Sequence, residues 1–495
     1  MKTKPKKIIA ALIILIMLLT VSCSPQPENN GGGSEIPGIN AGNGSANEET
    51  VQIEEYEFPE ANFGGDDFVF LNPVQDWGFY TDIILESETG EILDDAIFAR
   101  NRTIEETFNV NLREIQSEIG VIEQNIRNTV LAGDNVYDAI YCPAYNNAAI
   151  GGLITQNLFH NLRDIPELQF DRPWWNQNIL EESTVGGGNN IYFALCDINI
   201  MSLQVPWCIY FNEDMIQNLG LELPYNLVRE GNWTYDKLAE YARAGAQLNG
   251  AASFDWDHSG PAVYGLTAWQ HGIGALLKAS GERFVSKNDQ GYPFLSAGSE
   301  RFFNACEKIA EMTYETGVYQ SANDWPNPFN FQFMFRDGKS MLMIGEIKAA
   351  DSLRNIDSTF GILPLPKYNE SQSRHYSPVT MQMPVLTVPV TNLNAQKTGI
   401  ILDAMAYLSY KNITPIFFDV TMSQKRLRNE ASIEMLHIIK DTVTYDLGIA
   451  YGWSADLFLR IRESLDNGRN TAVADIERMK ERVETNIERT MELIG

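Results

Sequence analysis

Apolar and polar residues along the start of the folded chain follow patterns that predict strands and helices in alternation. Short apolar runs predict strands at Asp66–Pro73 and Asn109–Ile115, and the segment Tyr137–Asn147 is predicted as a strand that runs into a Pro-containing loop. Helical spacing of apolar residues predicts helices over Asp95–Phe108 and over Val121–Gly133, the second ended by its glycine. Strands that alternate with helices predict a mainly parallel sheet covered on both faces.

The loops that follow these strands are candidate walls of a binding site, because ligands of open α/β sheets bind beyond the carboxyl ends of the strands. The loops concerned are Asn72–Tyr80 and Cys142–Asn147. Their candidate ligand contacts are Asp76, Trp77, Tyr80, Tyr145 and Asn146.

The N-terminus has the residue pattern of an export signal. Four lysines precede the apolar stretch Ile8–Val21, which is shorter than the roughly twenty residues that span a bilayer and fits a signal peptide. The segment Leu19–Cys23 resembles a bacterial lipobox, in which the cysteine is acylated. We therefore expect residues 1–22 to be a lipoprotein signal peptide and Cys23 to carry the lipid; the alternative is an ordinary secretory signal with an incidental cysteine.

A linker separates this signal from the folded part. Residues 23–50 are rich in Pro, Gly, Asn, Ser and Glu, a composition that cannot bury enough apolar surface to order itself, so a disordered tether is expected. The remainder, from residue 51 to 495, is too long for a single core, which predicts two lobes.

The net charge of the chain and the spacing of its cysteines limit which binding partners and metal sites the sequence allows. With 37 basic and 65 acidic residues, the chain is a poor match for nucleic acid or for an anionic lipid surface. Besides Cys23, the four cysteines Cys142, Cys196, Cys208 and Cys306 lack the paired spacing of a zinc site. We expect small buried side chains, and an exported location also allows a disulfide.

One loop has part of the pattern of a calcium site. Asp255 and Asp257 begin it with suitable spacing, but Leu266 stands where a bidentate Glu is required. A surface turn is expected, with bound calcium as the alternative. The five histidines show no ligand spacing, so neither a metal nor a cofactor is expected.

The middle of the chain contains an ordered set of motifs. The first is the strand with Tyr210–Asp214, followed by a helix start in which Thr234 is the N-cap and Trp233 with Leu238 forms a hydrophobic staple. The later motifs are Tyr264–Phe284, Phe335–Glu346, Phe360–Lys367 and Phe417–Gly448. In this order they resemble the family 1 extracellular solute-binding proteins.

The resemblance implies an α/β, two-lobe, periplasmic-binding-protein-like (Venus flytrap) fold with hinge crossovers between the lobes. It places residues 51–200 plus 383–447 in lobe 1 and residues 203–380 plus 450–495 in lobe 2. The crossovers are expected near 197–204, 376–385 and 445–451.

The resemblance also implies a ligand in the interlobe cleft, and the aromatic content favours a sugar or oligosaccharide, because flat rings cover sugar faces while polar side chains bind hydroxyls. Among tryptophans in predicted loops (Trp77, Trp207, Trp269 and Trp453), Trp269 is the preferred contact, and Glu346 is the preferred polar one. Trp233, Trp174 and Trp175 are expected to be structural. The further candidate contacts are Asp197, Asn199, His271 and Trp453.

The function implied is that of a monomeric binding protein, lipid-anchored on the extracellular face of the cell membrane, which delivers its ligand to the permease subunits of an ABC transporter. Two alternatives stay open. One is a tethered glycoside hydrolase, which would need two carboxylates about 5–10 Å apart. The other is a binding protein for a peptide or a polyamine.

Overall fold

The computed structural model describes residues 56–75, 79–146, 149–254, 259–324, 330–353, 356–423 and 430–494. The predicted signal peptide, Cys23 and the predicted tether lie outside these residues, as do Asp76, Trp77, Asp255 and Asp257. None of the described helices combines the length and the apolar character needed to cross a membrane.

The strands fall into two main sheets and two short pairs. They are β1 Asp66–Val74, β2 Val110–Glu118, β3 Ala139–Pro143, β4 Trp207–Asn212, β5 Tyr264–Ala268, β6 Val285–Lys287, β7 Pro293–Leu295, β8 Tyr319–Ser321, β9 Ser340–Glu346, β10 Phe360–Pro364, β11 Ser377–Pro378, β12 Pro384–Thr387 and β13 Val443–Thr444.

The α-helices cover the two main sheets and connect their strands. They are α1 Ile92–Phe108, α2 Ile122–Leu131, α3 Gly151–Ile154, α4 Gln177–Ser183, α5 Met201–Gln204, α6 Glu213–Asn218, α7 Tyr225–Arg229, α8 Tyr235–Gly245, α9 Gln270–Ala279, α10 Glu300–Tyr314, α11 Asn330–Arg336, α12 Ala395–Leu408, α13 Thr414–Ser423, α14 Glu430–Asp441, α15 Leu447–Ala450, α16 Ala455–Asp466 and α17 Ala472–Ile494. The shorter turns are 3-10 segments at Leu162–Asp164, Ala322–Asp324 and Ile347–Leu353 and a π-helical segment at Ser409–Ile413.

The first sheet has the order β12-β3-β1-β2. Strand β1 runs parallel to both of its neighbours, and β12 joins the edge antiparallel to β3. The predicted strands and helices of this region are confirmed, with α1 beginning three residues before the predicted Asp95. Asn109 ends α1 in the left-handed region, with φ 49°, a conformation that Asn tolerates better than most residues.

The second sheet has the order β10-β4-β9-β5-β8 and is mixed. Strand β4 pairs antiparallel with β10 and β9, whereas β5 is parallel to β9 and β8. The expectation of a mainly parallel sheet therefore holds for the first sheet only. Trp207, expected in a loop, begins β4 and is buried.

Three segments carry the chain between the sheets and pair with one another. Ala194 still pairs with Leu386 at the first sheet, and Pro206 pairs with Val379 just before β4. Strands β11 and β13 run parallel. The crossing segments thus form one hydrogen-bonded hinge. The first two lie near the crossovers expected at 197–204 and 376–385, whereas β13 follows helices whose side chains already pack with the second sheet.

The hydrophobic core reflects this arrangement. One buried cluster packs α1 and α12 against one face of the first sheet. Another begins on the opposite face with Leu71 and Ile126, passes through Val205 and Met381 in the hinge, and continues to the second sheet. The four cysteines predicted to be buried are all buried, and each is a free thiol.

Helix α14 marks a difference from the predicted lobe bounds. Its residues Leu436 and Ile439 belong to the same buried cluster as Phe360 and Ile362 of β10. The predicted lobe 1 includes this helix, whereas its buried side chains pack with the second sheet. Phe417 and Phe418 of α13 join the same cluster, so the chain returns to the second sheet well before residue 447.

Candidate functional site

Trp269 and Glu346 lie at the same end of the second sheet, where the parallel strands β5 and β9 finish. Strand β5 is parallel to β9, with Thr267 opposite Met343. Trp269 directly follows β5, and Glu346 is the last residue of β9. The carboxyl ends of these parallel strands therefore bring the two predicted ligand contacts to the same end of the sheet.

Trp269 also begins helix α9 as its N-cap residue. Its half-buried ring lies 4.0 Å from the ring of His271, centroid to centroid. Helix α9 packs closely on β9, because a Cβ at Gly272 would stand only 3.0 Å from Ile344 Cγ2. This tight packing fixes the start of the helix, and with it the indole, relative to the sheet edge.

His271 interacts with a buried arginine of α16. Arg462 Nη1 contacts His271 Nδ1, and a guanidinium can only donate there. Burial lowers the pKa of His271 well below its usual range, with further contributions from Arg462 and Lys278. The imidazole is therefore neutral, and Nε2 carries its proton.

Glu346 has an unusual carboxyl group. Burial raises its pKa to about 7, against the opposing effects of a hydrogen bond with Thr380 and the nearby Lys348. Near neutral pH a large fraction of such a carboxyl is protonated, and it can then both donate and accept hydrogen bonds.

Lys348 connects this edge to the first lobe. Its Nζ donates to the backbone carbonyl of Phe79 and lies 5.5 Å from the centre of the Phe79 ring. Burial raises the pKa of the adjacent Tyr80 far above its usual range, and the charges of Cys142 and then Glu346 add to this shift. The loop after β1 therefore faces the end of β9.

The remaining first-lobe candidates meet the second crossing segment. Tyr80 OH donates to the carbonyl of Gln382 at 3.1 Å, and Gln382 Nε2 donates to Asn146 Oδ1 at 3.0 Å. The backbone N–H of Tyr145 donates to Met381 at 3.0 Å. Tyr80, Tyr145 and Asn146 are thus assembled around one segment, with the half-buried Tyr145 and Asn146 at its margin.

Two predicted contacts in the first crossing segment have structural partners instead. Asn199 is buried; its Nδ2 donates to Asn72 at 3.2 Å and its Oδ1 accepts from the N–H of Met201 at 3.0 Å. Asp197 accepts from Ser202 at 2.9 Å and from Thr414 at 2.7 Å. Their polar groups hold the crossover in place, so we leave both out of the proposed site.

Trp453 also differs from its predicted role. It is 3 % exposed and stacks on Tyr451 with ring centroids 4.7 Å apart. Its indole N–H donates to Thr490 at 2.8 Å. Because its ring is packed in the interior and its indole N–H is already hydrogen-bonded, Trp453 is a core residue.

Some residues at the site were not predicted. Lys348, Arg462 and Gln382 carry no local motif, since their role depends on which elements the fold brings together. Two buried glutamines, Gln75 after β1 and Gln204 in the first crossing segment, each have an Oε1 without a hydrogen-bond partner. A buried unpaired acceptor is costly, so each favours an added donor such as a ligand hydroxyl or water.

No protein-family model matches the sequence, and no curated protein matches it. Solved structures do. The sugar-binding protein MalE from Xanthomonas citri aligns over 86% of this chain and 98% of its own, with 10% identity and a TM-score of 0.58. The cyclic α-maltosyl-1,6-maltose binding protein from Arthrobacter globiformis aligns over 87% and 100%, with 10% identity and a TM-score of 0.56.

A third solved structure is the ABC substrate-binding protein from Listeria monocytogenes in complex with cycloalternan. It aligns over 86% of this chain and 99% of its own, with 12% identity and a TM-score of 0.53. The chain has the two-lobe solute-binding-protein fold. In this fold the lobes close about a hinge on a ligand held between them. In this structure the contact of Lys348 with Phe79 brings the end of β9 close to the loop after β1.

Within the described residues, no group of three or more His, Cys, Asp or Glu side chains could hold a metal ion.

Proposed function

We propose that the protein is an extracellular solute-binding protein that captures a sugar or oligosaccharide between its lobes and delivers it to an ABC import permease. The observation that supports the proposal is the half-buried Trp269, which lies next to His271 and at the same end of the parallel strands β5 and β9 as Glu346. The structural neighbours bear the names of sugar-binding and substrate-binding proteins.

The chemistry of these groups suits a saccharide. An indole covers the apolar face of a pyranose, and its hydroxyl rim needs donors and acceptors in pairs. A carboxyl with a pKa of about 7 can act in both ways. The half-buried Asn146 donates from Nδ2 to the carbonyl of Ile119 at 3.2 Å and accepts at Oδ1 from Gln382 at 3.0 Å, which leaves its amide one N–H and one lone pair. Ligand contacts from both sides of the cleft would favour the closed state over the open one.

We propose binding without chemical conversion of the ligand. The structural neighbours are named as binding proteins, and the sequence shows no catalytic motif. Incubation of the purified protein with its best-binding glycan should return that glycan intact in a chromatographic profile. Conversion to shorter products beyond one equivalent would instead support the tethered hydrolase.

A thermal-shift panel of oligosaccharides, peptides and polyamines tests the ligand class, since a ligand that binds only the folded state raises its melting temperature. A selective shift with oligosaccharides supports the proposal. Shifts with peptides or polyamines alone would assign the cleft to another solute.

The location also belongs to the proposal. The basic N-terminus, the short apolar run, Cys23 and the tether support an acylated protein on the outer face of the cell membrane. Such an anchor would keep a monomeric binding protein near its permease subunits while leaving the lobes free to move.

A further inference from the structure

An ion pair joins the two lobes beside the third crossing segment. Glu182 lies on α4, whose Leu180 belongs to the buried cluster of the first sheet. Arg283 follows α9 and precedes Phe284, which packs edge-on against Phe302 of α10 in the second lobe. Arg283 Nη2 donates to Glu182 Oε1 at 3.0 Å, and the two side chains are 14 % and 24 % exposed, respectively. The pair therefore connects the lobes at a place largely shielded from water.

Further contacts hold both partners of this ion pair. Glu182 Oε2 accepts from the backbone N–H of Tyr445 at 2.6 Å, and the Arg283 guanidinium lies 5.0 Å from the centre of the Tyr376 ring. Hydrogen bonds between ionised groups are stronger than neutral ones. Separating the two partners while both stay shielded from water would be unfavourable, because each buried charge would lose its counter-ion.

A second contact joins the hairpin of β6 and β7 to the end of α4. Lys287 of β6 donates from Nζ to the carbonyls of Glu181 and of Thr184, the second at 3.0 Å. Carbonyls at the end of a helix lack partners within the helix, so these bonds satisfy them. Beside them the two backbones touch, because a Cβ at Gly291 would stand only 2.9 Å from Gly188 N. Together these contacts form a strap between the lobes, made of Glu182, Arg283, Lys287, Gly188 and Gly291.

The crossing segments lie between the strap and the loops of the candidate site. Tyr445 donates from its backbone N–H to Glu182, and its hydroxyl donates to the carbonyl of Met381 at 3.1 Å. The same carbonyl accepts from the backbone N–H of Tyr145, in the loop after β3, at 3.0 Å. The third and second crossing segments therefore separate Glu182 from Tyr145.

Lys348 joins the lobes on the side of the site loops. Its Nζ donates to the carbonyl of Phe79 in the loop after β1, and the adjacent Tyr80 bonds to Gln382 of the second crossing segment. A rotation about the crossing segments that brings Lys348 closer to the first lobe moves the two sides of the strap apart. The strap and Lys348 therefore act on the same rotation in opposite directions.

We infer that the strap opposes closure of the lobes and that Lys348 favours it, so that residues of the strap control ligand affinity without contacting the ligand. This inference rests on the proposed function, in which the lobes close on a solute held between them. A ligand must then supply the free energy that separates the strap, and its apparent affinity rises with the fraction of molecules already closed.

The first test is solution X-ray scattering of the ligand-free protein, which does not depend on the identity of the ligand. The double variant Glu182→Gln, Lys287→Met removes both charged contacts of α4 and keeps the side-chain sizes similar, so its radius of gyration should be smaller than that of the wild type. Lys348→Met should have a larger one. The matched control is Glu477→Gln with Lys480→Met, at two exposed positions of α17, and it should scatter as the wild type does.

The second test is isothermal titration with tetrasaccharides of glucose, xylose and mannose. The double strap variant should bind the best of these about threefold or more tightly than the wild type does, and Lys348→Met should bind it more weakly. Melting curves of the ligand-free proteins establish that each variant is folded. If the double variant does not fold, the single variant Lys287→Met should show both changes in the same direction.

Unchanged scattering of the folded strap variant, or weaker binding of a tetrasaccharide by it, would overturn the strap while leaving the proposed function in place. The expected scattering changes without binding of any tetrasaccharide would support the effect of the strap on the lobes and count against the proposed sugar ligand. Tighter binding by the control variant would also overturn the strap, because the effect would then not depend on these contacts.

Discussion

The indoles of Trp269 and Trp233 allow a direct separation of binding from folding. Trp233 is fully buried, donates from Nε1 to the carbonyl of Pro364 at 3.0 Å and packs edge-on against Tyr241. Trp269 is half-buried at the carboxyl end of β5, next to His271. We expect Trp269→Ala to weaken ligand binding with little effect on stability, and Trp233→Ala to do the reverse.

The expected loss of affinity in Trp269→Ala and of folding free energy in Trp233→Ala follow from these environments. Stacking contributes about 1 kcal/mol beyond buried area, and covering about 50 Å² of indole contributes roughly another 1 kcal/mol. Trp269→Ala should therefore weaken binding by at least tenfold. Trp233→Ala should cost about 3–5 kcal/mol of folding free energy, which for the roughly 440 residues of Tyr56–Gly495 lowers Tm by about 3–5 °C.

The assay combines isothermal titration with melting curves of the ligand-free proteins. Titration reports the affinity of whatever fraction is folded, so Trp233→Ala should retain the wild-type Kd. If Trp269→Ala binds like the wild type but unfolds much earlier, Trp269 is a core residue and the site is misplaced.

Three further variants test the anchor, the carboxyl at the cleft and the core. Cys23→Ala should take up no label from a radioactive fatty acid, and equal labelling of the variant and the wild type would refute acylation. Burial raises the pKa of Glu346 from 4.5 to about 7. Between these pH values the folded protein binds more protons than the unfolded one, so the free energy of unfolding falls as pH rises through this window. The Glu346→Gln variant should lack that fall, and a Tm difference between variant and wild type that stays constant with pH would contradict the raised pKa. Asp403 accepts hydrogen bonds from the indoles of Trp174 at 2.9 Å and Trp175 at 2.8 Å, so Asp403→Ala should lose about 3 kcal/mol in denaturant unfolding while the Kd for ligand stays unchanged.

The elements of the first sheet were predictable because their patterns are local. The alternation of strand and helix from Asp66 to Pro143, and the capping of α8 by Thr234, depend on residues close in sequence. Trp174 and Trp175 are buried as expected. Their shared acceptor, Asp403, lies more than two hundred residues away, and no local pattern connects them.

The site was only partly predictable for the same reason. Trp269 and Glu346 stand at strand ends, so sequence placed them at an edge where ligands bind. Trp453 and Asn199 belong to residue types that suit a sugar, but burial and existing hydrogen bonds occupy them. Arg462 has no local sequence signal, because its contact is with His271 of α9, nearly two hundred residues earlier in the chain.

Contacts already present between the lobes limit what a ligand has to contribute. Lys348 donates to the carbonyl of Phe79, and Gln382 in the hinge bonds to both Tyr80 and Asn146. These contacts favour approach of the lobes without ligand, and a ligand shifts the balance only by binding the closed state better. Trp269 lies on the second-lobe side. On the proposed function, a sugar held there must also touch the loops after β1 and β3 to drive closure, and affinity and closure would be coupled through these first-lobe groups.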